Sequence, residues 1–421
     1  MTPVSRRILS IFLYLCGVAA LLILSLAAFI ALRWNAPVDR PVREMRAPRD
    51  SATIARGEYI FRYQAQCWGC HGSSGANSAT PPAGGRLFDL RGVGPGFGQW
   101  HSRNLTPDVE TGLGSWSDGD IIRAFREGLR KDGTVMFPLM PSDWYHGMSD
   151  EDALAVVAYL RSLPPVRNAV APQEPSFMAK ALFAFGVLKP QAAINDPVVA
   201  PPRGVNAAWG KYVGSHLAGC VECHSPRNLA DGSFYMDSLA AGSTIEYGAD
   251  EDAPLSAFAR NLTPDVETGI GSWTESQFLA AVTSGMRPDG TVLTPHMPYA
   301  SYKACSEEDL RAIYLYLRTL PAIRRTTPPV RASERLGAVS GAERGTLLFD
   351  ARCAPCHGVQ GAGAPPTGVV LAEVAPSLND AELIDMIRTG QPDLKMPSFG
   401  ATLTEGDIAD IVAHIRQWGQ P

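Results

Sequence analysis

Three pentapeptides constrain this chain more than anything else in it: Cys67-Trp68-Gly69-Cys70-His71, Cys220-Val221-Glu222-Cys223-His224 and Cys353-Ala354-Pro355-Cys356-His357. On one helical turn, positions i, i+3 and i+4 share a face. Two thiols there can bond to the vinyl groups of a haem while the adjacent His reaches the iron from the same side. A lone Cys-x-x-Cys is also compatible with a redox dithiol or half a zinc site, and zinc needs four ligands. Here each motif carries its own His and a separate Met-Pro pair downstream, at Met140-Pro141, Met297-Pro298 and Met396-Pro397. The motifs consume six of the eight cysteines: Cys67, Cys70, Cys220, Cys223, Cys353 and Cys356. Cys16, in an apolar N-terminal run, and Cys305 have no partner in their own segments and read as unpaired thiols. The expected cofactor is covalently bound haem c, three per chain.

The first two motifs belong to a duplicated unit. RNLTPDVETGLGSW at 103–116 returns as RNLTPDVETGIGSW at 260–273, thirteen of fourteen letters at an offset of 157. Self-similarity at a fixed offset marks a repeated structural unit. The same offset carries Met140 onto Met297, sets Met136 and Met148 opposite Leu293 and Cys305, and sets His296 opposite Leu139. The expected axial pairs are therefore His71 with Met140, His224 with Met297 and His357 with Met396. The duplicated loop lies between the attachment motif and the Met, where it should cover the haem edge. Arg103 and Arg260 are candidates to pair with a propionate, and the indole N–H groups of Trp116 and Trp273 to donate to one. The alternative is a well-packed turn, since Thr-Pro-Asp and Thr-Gly-x-Gly are turn chemistry in themselves. The third motif lacks the loop: 38 residues separate His357 from Met396, so its haem is expected to be more exposed.

Each motif sits in a helical frame. Glycine-containing helices precede the motifs at 56–66, 209–219 and 344–352. Amphipathic helices close each unit, opened by Ser149-x-x-Asp152, Ser306-x-x-Asp309 and Thr404-x-x-Asp407, which are capping boxes with Asp for the usual Glu. Their apolar faces include Tyr159, Tyr316 and Ile415. With these residues in place the chain resembles three class I cytochrome c domains. The NLTPDVETG-x-GSW loop and the Met-Pro-Tyr/Ser segment further resemble the three-haem cytochrome c subunits of bacterial periplasmic, membrane-bound dehydrogenases of the alcohol, gluconate and aldehyde dehydrogenase type, over roughly residues 51–421. The implied fold class is all-α, three tandem class I cytochrome c domains behind an N-terminal transmembrane helix. The boundaries expected are a cytoplasmic stub and anchor over 1–35, domain 1 over 51–166, a linker over 167–203, domain 2 over 204–323, a linker over 324–338 and domain 3 over 339–421.

Residues 8–32 carry no charge across 25 positions, enough at 1.5 Å per residue to cross a bilayer core of about 30 Å. Signal-peptide cores run to about 15 residues, so an uncleaved anchor is expected. The competing reading is cleavage after Ser25-Leu26-Ala27. Arginines flank the run on both sides (Arg6 and Arg7 before, Arg33, Arg40, Arg43 and Arg46 after), so charge alone does not orient it. Covalent haem does, because it is installed outside the bacterial inner membrane. The haem domains are accordingly expected in the periplasm, on a single-pass anchor. The first linker holds the apolar stretch SFMAKALFAFGVLK (176–189), open to packing between domains, docking on a partner or touching the membrane. The resemblance implies an apolar, Phe-rich linker at that place. The second linker, RRTTPPVRASERLG, reads as polar and exposed.

A net charge of −5 offers no nucleic-acid signature. An iron held by His and Met has both axial positions filled, which favours electron transfer over substrate binding, and Met raises the potential relative to a second His. No Ser/His/Asp set, phosphate loop or catalytic carboxylate pair is present, so no catalytic residue is assigned. The reading is an electron-transfer subunit and not itself an enzyme. It takes electrons from a large periplasmic dehydrogenase subunit of quinone-type, flavin or molybdopterin chemistry and passes them to the respiratory chain, with ubiquinone or a terminal oxidase as acceptor. The alternatives are a multihaem peroxidase, which requires an open distal site, and a stand-alone membrane-anchored shuttle.

Overall fold

The computed structural model describes residues 3–72, 80–92, 96–228, 233–247, 255–289, 293–294, 296–328, 331–332, 341–358, 361–362, 370–394, 396–400 and 403–419. The chain forms two compact units, Met1–Arg62 with Gln66–Ala200, and Tyr63–Ala65 with Pro201–Pro421.

In the first unit the helices are α1 (Pro3–Arg33), α2 (Ser51–Tyr59), α3 (Cys67–His71), α4 (Asp118–Glu127), α5 (Ser142–Tyr145), α6 (Asp150–Ser162) and α7 (Phe177–Ala184). The second unit continues with α8 (Ala207–Tyr212), α9 (Cys220–His224), α10 (Glu275–Ser284), α11 (Tyr299–Tyr302), α12 (Glu307–Leu317), α13 (Gly341–Arg352), α14 (Ala354–His357), α15 (Leu371–Val374), α16 (Asp380–Thr389) and α17 (Glu405–Ile415). A π-helical turn, Ile60–Gln64 or Val213–Leu217, extends α2 and α8 towards their motifs.

Three helix crossings dominate the packing: α2 on α6, α8 on α12 and α13 on α17. Each is made possible by a glycine. A Cβ added at Gly57 would stand 1.8 Å from the Ala155 carbonyl oxygen, at Gly210 1.8 Å from that of Ala312, and at Gly345 1.9 Å from that of Asp410. The expected inward faces are buried there, with Tyr159, Tyr316 and Ile415 all at 5% exposure or less. The boxes opening α6, α12 and α17 form unequally. Ser149, Ser306 and Thr404 each accept from the backbone N–H three residues on. Only Asp407 returns the bond, to Thr404 N. All three carboxylates reach across their crossings, Asp152 accepting from Arg56 at 2.8 Å, Asp309 from the Trp209 indole at 2.6 Å and Asp407 from Arg344 at 3.1 Å.

The all-α expectation is corrected to mostly helical. Two small antiparallel sheets are present, β1 (Leu87–Asp89), β2 (Gly98–His101) and β3 (Glu174–Pro175), then β4 (Glu246–Tyr247), β5 (Leu255–Phe258) and β6 (Arg331–Ala332). Their registers repeat at the 157-residue offset: Gln99 pairs with Glu174, and Ser256 with Arg331. Strands of two to four residues between Gly and Pro carry too little alternation to be read from sequence. The outer strands come from the segments expected as linkers, so each linker begins as part of the sheet before it. Of the second linker, residues 329–330 and 333–338 lie outside the described residues.

Within α1, Leu9–Arg33 spans 25 residues and holds an 18-residue stretch of mean hydropathy 2.7 that is 6% buried, long and apolar enough to cross a membrane. The segment after it is strapped to the rest of the first unit by ion pairs from Arg40 to Glu127 (2.6 Å) and from Arg43 to Asp150 (2.8 Å). Two of the arginines that obscured the orientation are thus engaged by carboxylates. The apolar stretch 176–189 forms α7, capped by Ser176. It packs on α1, with Phe185 5.5 Å from Phe29 and Lys180 5.4 Å from the Trp34 ring. Phe177 and Phe185 stay 62% and 60% exposed.

Candidate functional site

Each attachment helix starts where the backbone turns sharply. Gln66 (φ 52) and Gly219 (φ 62) adopt the left-handed conformation immediately before Cys67 and Cys220. That breaks the preceding helix and re-aims the next. The third motif follows α13, with Pro355 in the first turn of α14.

The histidines of the first two motifs are oriented by the first carbonyl of the duplicated loop. His71 Nδ1 lies 2.8 Å from Arg103 O, and His224 Nδ1 lies 2.6 Å from Arg260 O. A carbonyl accepts only, so Nδ1 carries the proton and Nε2 is left with its lone pair free to bind a metal. Burial pushes both imidazoles down from their ordinary pKa, against the bond to the carbonyl. Neutral imidazole is the metal-binding form.

The rest of the loop is built from its own side chains. Asn104 donates to Thr111 Oγ1 and Val166 O, accepts from Thr106, and is matched atom for atom by Asn261, Thr268, Ile323 and Thr263. A Cβ at Gly112 would stand 2.2 Å from Thr106 O, and one at Gly269 2.1 Å from Thr263 O. The turn interpretation therefore accounts for most of the thirteen shared letters. The loop also locks the chain leaving α6 and α12. Trp116 and Trp273 are half-buried, and their carbonyls accept from Arg161 and from the Tyr314 hydroxyl.

The expected Met ligands sit in equivalent turns. Met140 N donates to Phe137 O at 3.2 Å and Met297 N to Thr294 O at 3.0 Å, and the residue after each proline donates back to the Met carbonyl at 2.8 Å in both. Met396 is held by reciprocal backbone bonds with Gln391 and packs on the third core. Met148 is 2% exposed, deep in the apolar core. Of the segment covering the third motif, residues 359–360, 363–369 and 395 lie outside the described residues.

Several participants escaped the sequence reading. The Tyr145 hydroxyl bonds the Cys67 thiol, and its counterpart Tyr302 donates to Ala218 O just ahead of Cys220. Each ties a Met-bearing turn to its Cys motif. Arg130 and Arg287 were also missed. Burial first, and then Arg130, pushes the Arg103 guanidinium below its ordinary pKa, and burial and Arg287 do the same to Arg260. The signal was available, because Arg130 and Arg287 are separated by the same 157 residues as Arg103 and Arg260. Arg103 and Arg130 line a cavity of about 210 Å³ with Trp100, Val135 and Phe183. Two like charges held together in a half-buried cavity call for an anion.

The thiol environment argues against dithiol chemistry. Reactive Cys-x-x-Cys thiols have lowered pKa values. Burial instead pushes Cys67 and Cys220 up to about 12 and Cys223 up to about 11. None of the motif cysteines is in a disulfide, nor are Cys16 and Cys305. Among the described residues, no group of three or more His, Cys, Asp or Glu side chains is arranged to hold a metal ion in the manner of zinc.

Comparison with known proteins agrees with this geometry. Residues 54–164 match the family described as cytochrome c, and residues 340–415 match cytochrome C oxidase, cbb3-type, subunit III. The gluconate 2-dehydrogenase cytochrome c subunit of Pantoea cypripedii is 29% identical over 402 residues, covering 88% of this chain and 86% of that protein. This chain is a homologue of dehydrogenase cytochrome c subunits. The cytochrome c subunit of alcohol dehydrogenase (quinone) from Gluconobacter oxydans is 27% identical, over 88% of this chain and 79% of its own. The fructose dehydrogenase cytochrome subunit of Gluconobacter japonicus is also 27% identical, over 89% and 81%. A cytochrome c domain holds haem c covalently, and the residues fit it: paired thiols for the vinyl groups, a neutral imidazole with Nε2 left for iron, and a half-buried cation pair suited to propionates. Each of these relatives is named as the cytochrome subunit of a dehydrogenase.

Proposed function

We propose that the chain carries three haem c groups in three tandem domains, 51–166, 204–323 and 339–421, and relays electrons from a periplasmic dehydrogenase to the respiratory chain. The observation that carries this is the recurrence of one site: a Cys-x-x-Cys-His helix under a glycine-mediated crossing, with a Met-Pro turn downstream, three times. Haem c supplies reversible one-electron chemistry at iron. Cys67 and Cys70, Cys220 and Cys223, and Cys353 and Cys356 would anchor the three groups. His71 and Met140, His224 and Met297, and His357 and Met396 would fill the axial positions. The Arg103/Arg130 and Arg260/Arg287 pairs would neutralise propionates. Trp116 and Trp273 have a lesser claim on a propionate than Arg130 and Arg287, since they are engaged through their backbone carbonyls.

The relatives' names support a partner: gluconate, alcohol and fructose dehydrogenases. The partner proposed here is a large periplasmic dehydrogenase subunit of quinone-type, flavin or molybdopterin chemistry, with ubiquinone as a candidate acceptor. Purification of the full chain from membranes is expected to yield three haems per chain and a co-purifying dehydrogenase subunit that reduces them. The ferrous protein should be inert to carbon monoxide. Stoichiometric CO binding or peroxide turnover would show an open iron and replace this reading with the peroxidase one.

The α1 helix is proposed to cross the bacterial inner membrane once, with everything after it in the periplasm. Exchanging residues 1–33 for a cleavable secretory signal should move the holoprotein from the membrane to the soluble fraction with its haem content unchanged. Retention of most of the protein on membranes would mean that α7 or the partner, not α1, is the tether.

A further inference from the structure

Five residues after the methionine of each Met-Pro pair the chain carries Tyr145, Tyr302 and Ala401. The Tyr302 hydroxyl donates to the carbonyl of Ala218, two residues ahead of Cys220. Both residues are buried, at 6% and 2% exposure. Backbone bonds tie the Met-bearing segment into one piece with that tyrosine. Tyr299 N donates to Met297 O at 2.8 Å, Tyr302 N to Pro298 O at 3.1 Å and Lys303 N to Tyr299 O at 2.9 Å. The segment also rests on Gly285 (φ 73), where a Cβ would stand 2.9 Å from Tyr299 Cε1. Ala218 is held in its turn: its N–H donates to Val213 O at 2.7 Å, closing the π-helical turn that leads into α9. A buried hydrogen bond therefore joins the two segments from which the expected ligands His224 and Met297 arise.

We propose that Tyr302 is a positioning residue that latches Met297 onto the iron of the second haem. The latch rests on the three-haem reading above, with Met297 as the distal ligand. Haem attachment fixes the macrocycle to the motif helix, so the iron keeps its sulfur only while the turn at 297–303 holds its place against residues 218–224. Swinging the turn out takes the phenol from the buried Ala218 carbonyl, and an acceptor left unmet away from water opposes the motion. The tie is particular to this site. The Tyr145 hydroxyl meets the Cys67 sulfur instead. Haem attachment turns that sulfur into a thioether, a weak acceptor. Ala401 has no side-chain group to donate. A held Met keeps the potential of the middle haem high and its iron closed to outside ligands.

The test uses the full-length ferric holoprotein, with haem counted on every sample and cyanide as the probe. Cyanide takes the position that a Met sulfur vacates. Its carbon bonds to ferric iron with no electron transferred, and the methionine–iron charge-transfer absorption is lost haem by haem. Tyr302→Phe keeps the ring and removes only the hydroxyl. It should speed one of the three steps about tenfold, equivalent to about 1.4 kcal/mol, and leave the other two as they were. Tyr235→Phe, at a tyrosine 47% exposed, should change none of them. Three haems and three unchanged steps in Tyr302→Phe would overturn the latch alone, and a lower melting temperature in that protein would then mark the hydroxyl as structural only. A Met297→Ala protein that keeps its full charge-transfer band would overturn the latch together with the ligand assignment beneath it. If Tyr302→Phe fails to mature, the wild-type order decides. The step that Met297→Ala abolishes should be the slowest of the three, and any faster place in the order would overturn the proposal.

Discussion

Gly210→Ala is expected to cost the protein the folded second repeat and the haem it holds. The added Cβ would lie 1.8 Å from the Ala312 carbonyl oxygen, 2.3 Å from its carbon and 2.8 Å from Ile313 N, all of them backbone atoms of the opposing helix. No rotamer change relieves a backbone clash, so α8 and α12 must separate along their whole contact. Overpacking costs about 1–3 kcal/mol where side chains can yield, and here the effect should reach or pass the top of that range. Against a domain stability of about 5–15 kcal/mol, and with haem attachment depending on a formed pocket, the loss should show as one haem fewer per chain and a lower melting temperature. Gly57→Ala and Gly345→Ala should do the same to the first and third sites, with clashes at 1.8 and 1.9 Å. Gly406→Ala is the control. It lies in α17 with its nearest neighbour 3.8 Å away, and alanine gains about 1 kcal/mol over glycine in a helix. If Gly210→Ala matures with a full haem complement and melts like the wild type, the crossing does not govern the site.

The second large effect concerns the distal ligand of the middle site. Met297→Ala should remove the contribution of one haem to the methionine–iron charge-transfer absorption at the red end of the ferric spectrum, and should lower that haem's potential, because Met ligation raises it. His296 is the tempting competitor, adjacent in sequence and the commoner metal ligand. Yet Met297 and Met140 occupy the same turn with the same backbone bonds. That turn puts His296 where the first repeat has Leu139, 38% exposed. His296→Ala should therefore leave the band unchanged. The reverse pattern, a band lost with His296 and kept without Met297, would reassign the ligand.

What the sequence determined on its own was whatever is encoded within a turn or by exact repetition. Cys67-x-x-Cys70-His71 is one helical turn, so its chemistry is local. The caps at Ser149, Ser306 and Thr404 are three-residue signals, and the 157-residue offset carries Met140 onto Met297 without reference to any fold. The hydropathy of residues 9–33 likewise needs no neighbours. Tertiary structure decided what depends on distant segments meeting. The pairing of Gln99 with Glu174 joins strands too short to carry a period. The carboxylates of Asp152, Asp309 and Asp407 find Arg56, Trp209 and Arg344 on the opposing helix, donors that only the helix crossing brings to them. Arg103 and Arg130, 27 positions apart, line one cavity at a spacing no periodicity could announce. Local geometry fixes how a side chain is presented along its own helix. Which charge or ring it then faces is settled only when the helices close on one another, because burial and electrostatic reach depend on distance in space and not along the chain.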